Sequence, residues 1–181
     1  DLTSEMALRA RPGLGYLPPP GTPGMQLEYE VELNLLGHSF KQYLDMWVPD
    51  ASAMPHLDCL LPPYTPCVLD HKSTKNPKKK WEGKKPGLST REDFLSDPQF
   101  LLYSVSALRL VPRATHVMGR WIYYATEGSP YAEKRDVLAS REEIAGGVRD
   151  HVLPWADGIT TIRKKTSHLD VPPRITFCHK Y

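Results

Sequence analysis

Asp70 and Lys72 lie two positions apart in the string VLDHKST, directly after a short apolar run. In a strand, residues i and i+2 point to the same side, so both side chains would project together while His71 points away. Asp45, on a neighbouring strand, could add a second carboxylate, and the carbonyl of His71 a third oxygen. Such an all-oxygen set suits Mg²⁺ or Mn²⁺, and an adjacent ammonium can orient a water or neutralise charge developing on a phosphate. These residue types predict a phosphodiester hydrolysis site.

A helix downstream carries two further polar candidates. Asp97 followed by Pro98 is typical of a helix start, and PQFLLYSVSALRLV predicts a helix that ends at Pro112. Gln99 and Tyr103 are four residues apart, so they share one face of this helix. They could approach the carboxylates and the lysine together.

The elements that would position Asp45 and Asp70 follow from the pattern of apolar residues. Residues 26–36 alternate acidic with apolar side chains, which predicts a half-buried strand, and residues 39–48 predict its hairpin partner. In the second strand we expect Asp45 on one face, and the following residues together on the other: Phe40, Gln42, Leu44, Met46 and Val48. Residues 49–66 are rich in proline and predict a loop, and residues 67–71 predict a central strand.

The remaining segments predict an α/β domain. Residues 115–126 predict a strand, residues 131–138 a helix, and Ser140 with Glu143 a capping box that starts another helix. Residues 1–24 are dense in proline and glycine, which predicts an extended lead-in without regular structure, packed over the domain. We expect residues 25–181 to form a single domain with a mixed central sheet flanked by helices.

Composition limits the classes of function. Of the formal charge of +2, the stretch from Lys72 to Lys85 contributes +6, so the rest carries −4. This excludes a general basic coat for nucleic acid, because the positive field has one local source. No window is long and apolar enough for a membrane span, which predicts a soluble protein without a membrane partner. Three cysteines without a CxxC pair predict reduced thiols and a cytoplasmic location.

Three motifs in this order resemble those of RecB-like nucleases of the PD-(D/E)XK superfamily. They are Asp45 in a hairpin strand, VLDHKST with Asp-x-Lys, and the helical Gln-x-x-x-Tyr of QFLLY. The resemblance covers about residues 28–126. It implies a restriction-endonuclease-like core and a Mg²⁺- or Mn²⁺-dependent deoxyribonuclease, of the exonuclease type found in phages and bacteria and related to CRISPR-associated spacer-acquisition nucleases. Such enzymes act in DNA repair, recombination or defence, which implies the cytoplasm of a bacterial or phage-infected cell.

The resemblance also implies roles for individual residues. Asp45, Asp70 and the carbonyl of His71 would bind the metal, Lys72 would lie beside the attacking water, and Gln99 and Tyr103 would position a single- or double-stranded DNA. An upstream acid often completes such sites, and it stays open among Glu28, Glu30 and Glu32, with Glu30 carried as a candidate ligand. We expect the residues after the catalytic lysine to contact the DNA backbone and, through the indole, a base: Ser73, Thr74, Lys75, Lys78, Lys79, Lys80 and Trp81.

Two features depart from the family's pattern. Gln42 stands where family members usually have a glycine, three residues before the first acid, which predicts a more crowded sheet edge. Iron–sulfur members close with a cysteine cluster, and FCHKY looks like the beginning of one. Four cysteines cannot be assembled from Cys59, Cys67 and Cys178, so no iron–sulfur cluster is expected in this chain, whether a C-terminal segment was cut off or never existed.

Two other functions remain open on the same fold. The acids could be structural in a catalytically inactive module that binds DNA or a protein, since neighbouring opposite charges such as Asp70 and Lys72 are often plain surface ion pairs. Alternatively, the chain could be a site-specific endonuclease.

Overall fold

The computed structural model describes residues 2–75 and 90–164. Within these residues, five strands form one mixed sheet in the order β1-β2-β3-β4-β5, in which only β3 and β4 run parallel. The strands are β1 (Gln26–Leu35), β2 (His38–Val48), β3 (Cys67–Thr74), β4 (His116–Ala125) and β5 (Ala132–Ser140). The predicted class, an α/β domain with a mixed sheet flanked by helices, is confirmed.

Helices cover one face of the sheet, and the start of the chain packs on the other. Against the first face lie α2 (Arg91–Ser96), α3 (Pro98–Leu110) and α4 (Arg141–Gly147), the last of which continues through a π-helical stretch, Val148–Val152, into α5 (Leu153–Lys164). On the opposite face lie α1 (Leu2–Ala10) and a 3-10 helix, Arg11–Tyr16. Within the described residues, no helix is long and apolar enough to cross a bilayer.

Alternation along the strands divides the core into two layers. The layer under α3 is built mainly from large side chains of β2, β3, β4 and the helix itself: Leu44, Val68, Phe100, Leu101 and Trp121. The second layer contains the alternate residues Met46, Val48, Leu69, Met118 and Ile122. A strand side chain therefore faces either α3 or the opposite side, where residues 2–16 pack, and this decides which residues can meet at a site.

The strand hairpin, the cap of α3 and the capping box of α4 are confirmed. Asp97 accepts a hydrogen bond from the backbone of Gln99, and Pro98 is the first residue of α3. Ser140 and Glu143 form the expected reciprocal cap. A second capping box, Thr90 with Asp93, starts α2, a helix that we did not predict although its Thr-x-x-Asp signal was present.

Two predicted elements are wrong. The helix predicted over residues 131–138 is wrong: residues 132–138 lie in β5, because pairing of β5 with β4 along its whole length outweighs the helix propensity of Ala, Glu, Lys and Arg. The lead-in over residues 1–24 is not extended throughout. Residues 2–10 form α1, because LTSEMALRA contains no proline or glycine and consists mostly of good helix formers, and residues 11–16 continue as a 3-10 helix. Its packing over the sheet agrees with the prediction.

Candidate active site

The pairing of β2 with β3 brings the two predicted acids together. The ladder runs through Val48↔Cys67 and Trp47↔Val68 to Met46↔Leu69, where it ends. Extending the register by one step places Asp45 opposite Asp70. The strands stay close there, because the His71 backbone N–H donates to Asp45 Oδ2 at 3.3 Å. Two carboxylates directly opposite each other repel, so this position favours a shared cation.

The prediction that Phe40, Gln42, Leu44, Met46 and Val48 share one face of β2 is wrong, because the alternation breaks between Leu44 and Met46. Leu44 packs in the layer under α3, whereas Met46 packs in the opposite layer, although the two residues are only two positions apart. Across the hairpin, Glu28 has a φ of +47° between the regular pairs Leu27↔Met46 and Tyr29↔Leu44. The alternation therefore breaks at this level of both strands, and Asp45 reaches the side of the sheet that carries Asp70.

Asp70 is the most perturbed acid of the site. It is only 3% exposed, and its carboxylate lies against the Lys72 ammonium and accepts from Gln99 Nε2 at 3.2 Å. Burial raises its pKa to about 6; the ion pair with Lys72 opposes the shift, and the neighbouring Asp45 adds to it. A bound cation would stabilise the ionised form of this carboxyl, because it would compensate for the hydration that burial removes.

Lys72, Gln99 and Tyr103 form one hydrogen-bonded chain. Lys72 Nζ donates to Gln99 Oε1 at 2.6 Å, and Gln99 Nε2 contacts Tyr103 Oη at 3.0 Å. The Tyr103 hydroxyl in turn donates to the carbonyl of Tyr43 at 2.7 Å, which ties α3 to β2. Burial raises the pKa of Tyr103, so its hydroxyl stays a donor. The helix thus holds the lysine and the buried acid in one arrangement.

Two residues that we did not assign to the site support it. The Lys72 ammonium lies 5.6 Å from the centre of the Trp121 ring, within the range of a cation–π contact. Gln42 is buried and its amide donates to the carbonyl of Leu102 at 3.1 Å and to Ser106 Oγ. At this position, where the resemblance implies a glycine, the chain has a side chain that joins β2 to α3. In the sequence, the polarity of Gln42 on an otherwise apolar face of the strand was the signal that it has a hydrogen-bonding partner.

His71 contributes its backbone to the site and its side chain to the opposite face. Because the N–H and C=O of one strand residue point to the same side, the carbonyl of His71 faces Asp45 as its N–H does. Nδ1 of the imidazole forms a hydrogen bond with the Tyr124 hydroxyl, at a distance of 3.0 Å. Burial lowers the pKa of the imidazole, against the opposing charge of Asp45.

The glutamates of β1 are not part of a three-acid cluster. Glu30 pairs with Lys41 at 2.8 Å and accepts from the Tyr43 hydroxyl at 2.7 Å, and both contacts lower its pKa. Of the three, Glu28 is the one at the level of Asp45. In the part of the chain that the structure describes, no three His, Cys, Asp or Glu side chains converge as a metal site. The donor set that fits a hard cation is Asp45, Asp70 and the His71 carbonyl.

Three of the predicted DNA contacts follow Lys72 along β3 and just beyond it. Ser73 and Thr74 complete the strand beside β4, and the carbonyl of Thr74 accepts from the Thr126 backbone at 2.8 Å. Lys75 is exposed and pairs with Glu127 at 3.4 Å. The other predicted contacts, Lys78, Lys79, Lys80 and Trp81, lie outside the described residues. Cys178 also lies outside them.

A cleft of about 560 Å³ lies away from these residues. It is lined by Pro49, Tyr64 and Arg113 among others, at the end of the sheet where β3 and β4 begin. The Arg113 guanidinium stacks 3.7 Å from the centre of the Tyr64 ring. None of the predicted site residues within the described ranges lines it.

The fold and the site define an α/β protein with two carboxylates and a lysine gathered beside one helix. No protein-family profile matches the chain, and no curated protein sequence matches it. A solved structure described as "Crystal structure of SSO0001" is 16% identical, with a TM-score of 0.40, over 91% of this chain and 58% of that one. The chain thus spans less than two thirds of that protein's length, and a similarity at this level supports no statement on function.

Proposed function

We propose that the chain is a Mg²⁺- or Mn²⁺-dependent deoxyribonuclease that hydrolyses DNA as an exonuclease. The observation that carries the proposal is the convergence of Asp45, Asp70, Lys72, Gln99 and Tyr103 from β2, β3 and α3, as the resemblance to RecB-like nucleases implies. A buried carboxyl with a raised pKa beside a lysine is typical of functional sites. We place its action in the cytoplasm of a bacterial or phage-infected cell.

Asp45, Asp70 and the His71 carbonyl would hold the ion. When bound, it would supply Lewis-acid stabilisation and a water of lowered pKa. Lys72 donates hydrogen bonds and positive charge next to the carboxylates, where the phosphate and the attacking water would meet. Gln99 forms hydrogen bonds with both Lys72 and Asp70. Tyr103 holds Gln99 against β2, so the side chains of Lys72 and Gln99 need not reorganise during the reaction.

Cleavage of end-labelled single- and double-stranded DNA with Mg²⁺, Mn²⁺ or EDTA tests the proposal. We expect metal-dependent cleavage that Asp70→Asn and Lys72→Met reduce by at least about 100-fold, the size of one lost electrostatic donor. Tyr103→Phe should lower kcat by about tenfold. Its matched control is Tyr43→Phe, because Tyr43 serves the site through its carbonyl and not its hydroxyl. Activity that survives EDTA, or both substitutions at Asp70 and Lys72, would contradict the proposal.

An inactive binding module is the second candidate, and one observation favours it. Within the described residues Asp70 is already paired with Lys72 and Gln99, so the acid has partners without an ion. Calorimetry with Mn²⁺ separates the two functions, because only the nuclease needs to bind the ion. Covalently closed circular DNA then separates an exonuclease from a site-specific endonuclease, since only the latter cuts a substrate without ends.

A further inference from the structure

His71 links the candidate site to the opposite face of the sheet. On the site side, its backbone N–H donates to Asp45 Oδ2 at 3.3 Å. On the other side, its imidazole lies against the ring of Tyr124, with 5.7 Å between the ring centres and 3.0 Å between Nδ1 and the hydroxyl. Any rotation of this peptide unit would therefore move the side chain and the site together.

Tyr124 is itself held by the N-terminal segment, residues 9–16. A Cβ added to Gly13 would lie 2.4 Å from Cε1 and 2.6 Å from the hydroxyl of Tyr124, so the backbone at Gly13 rests directly on the phenol. Only glycine permits this approach. The contact fixes the hydroxyl that His71 meets.

Two arginines fasten the N-terminal segment on either side of Gly13. Arg9 donates to the carbonyls of Ala125 and Gly128 at 3.4 and 3.3 Å, at the turn that follows β4. Arg120, which is fully buried, donates to the carbonyl of Tyr16 at 2.9 Å and forms an ion pair with Asp136 at 2.7 Å. The segment is thereby anchored to the same strand that carries Tyr124.

We propose that Tyr124, backed by Gly13, is a positioning residue that sets the peptide unit of His71 from behind the sheet, and with it the carboxylate of Asp45 and the metal affinity of the site. The effect on metal rests on the proposed function. Outer groups of this kind orient the groups that bind an ion. The N-terminal segment thereby influences the site, although the sheet separates the two.

Tyr124→Phe removes the hydroxyl and keeps the ring, and Tyr64→Phe, at the far end of the sheet, is the control. We expect the Mn²⁺ affinity of Tyr124→Phe, measured by calorimetry, to fall by about three- to tenfold, the value of one hydrogen bond. At saturating Mn²⁺, kcat should return to within about twofold of the starting protein. An unchanged affinity, or a kcat that Mn²⁺ does not restore, would overturn the proposal.

A metal-free measurement separates this proposal from the nuclease assignment. In ¹H–¹⁵N spectra without metal, Tyr124→Phe and Gly13→Ala should each shift the backbone amide of His71, whereas Tyr64→Phe and Gly15→Ala should not. Gly15 is the matched glycine because an added Cβ there has no atom within 4 Å. If the amide of His71 stays in place, the positioning role is wrong. If it shifts but the protein binds no Mn²⁺, the positioning role stands and the nuclease assignment fails.

Discussion

Asp70 is the residue on which the chemistry of the candidate site depends. It combines deep burial, a like charge on the opposite strand and the Lys72 ammonium as its counter-charge. The ion pair with Lys72 opposes the cost of burying the carboxylate without cancelling it, since the pKa remains raised. Asp70 can therefore be a protonated acid, the partner of Lys72 in an ion pair or, where an ion binds, its ligand.

Asp70→Asn should flatten the dependence of stability on pH. The folded carboxyl has a pKa of about 6 against an ordinary value of 3.8, so the folded state binds the proton more tightly than the unfolded state does. Its contribution to the free energy of unfolding is then present below about pH 4 and is lost as the pH rises towards 6. By urea denaturation without metal, the loss of stability from pH 4 to pH 7 should be smaller in the variant, by roughly 1–3 kcal/mol.

Asp150→Asn is the control for this comparison, because that carboxylate is exposed and pairs only with its neighbour Arg149 among the contacts described. It should keep the slope of the starting protein. If stability depends on pH equally in Asp70→Asn and in the starting protein, burial does not raise the pKa of Asp70.

At the scale of elements, the site depends on how closely α3 approaches the sheet. The crossover from β3 through α2 and α3 to β4 lays α3 across the strands, where Phe100 meets β4 at Gly119. This approach brings Gln99 within reach of Asp70 and Lys72. The helix cap at Asp97 and the small residue at position 119 are thus the local features that set the geometry of the site.

Gly119→Ala tests that approach. An added Cβ would lie 2.5 Å from Phe100 Cε2 and 3.0 Å from a methyl of Val137, so the helix or the ring must move. We expect a loss of about 1–3 kcal/mol in the free energy of unfolding, measured in urea, and a larger fractional loss of cleavage than of DNA binding.

Gly15→Ala serves as its control, since it meets no atom and should cost much less. A Gly119→Ala protein with unchanged stability and full cleavage would show that the fit of α3 on β4 does not determine the site.

For the whole molecule, the placement of charge matters more than its total. The cationic stretch begins at Lys72, inside the candidate site, and the rest of the chain is acidic in sum. A body of this kind would repel a phosphate backbone except where the lysines lie. Capture of DNA and its cleavage would then occur at one place on the surface.

Replacing Lys78, Lys79 and Lys80 by alanine should weaken DNA binding and its dependence on salt. Each phosphate contact contributes about 0.9 to the slope of log K against log salt for duplex DNA, so the slope should fall by up to about 3 units. Single-turnover cleavage of saturating substrate should stay within a few-fold. Fluorescence anisotropy across a salt series provides the measurement.

The control is the pair Lys41→Ala and Arg149→Ala, two cations that lie in exposed ion pairs on other elements. These should leave the slope almost unchanged. An equal change for both sets would mean that the lysine run has no special place in DNA binding.

The sequence by itself determined the elements with strong local signals. The alternation of β1 and β2, the Asp97–Pro98 start of α3 and the capping box of α4 depend on contacts within a few residues, so they could be predicted. The candidate site residues were also predicted, because Asp-x-Lys and Gln-x-x-x-Tyr place their members on common faces of a strand and a helix.

Only the tertiary structure decided what depends on distant partners. It turned residues 132–140 into a strand by pairing them with β4, and it broke the alternation of β2 so that Asp45 meets Asp70. It also placed the N-terminal segment behind His71. Pairing and packing energies between residues far apart in sequence outweigh local propensities by enough to reverse them, and no short pattern records those partners.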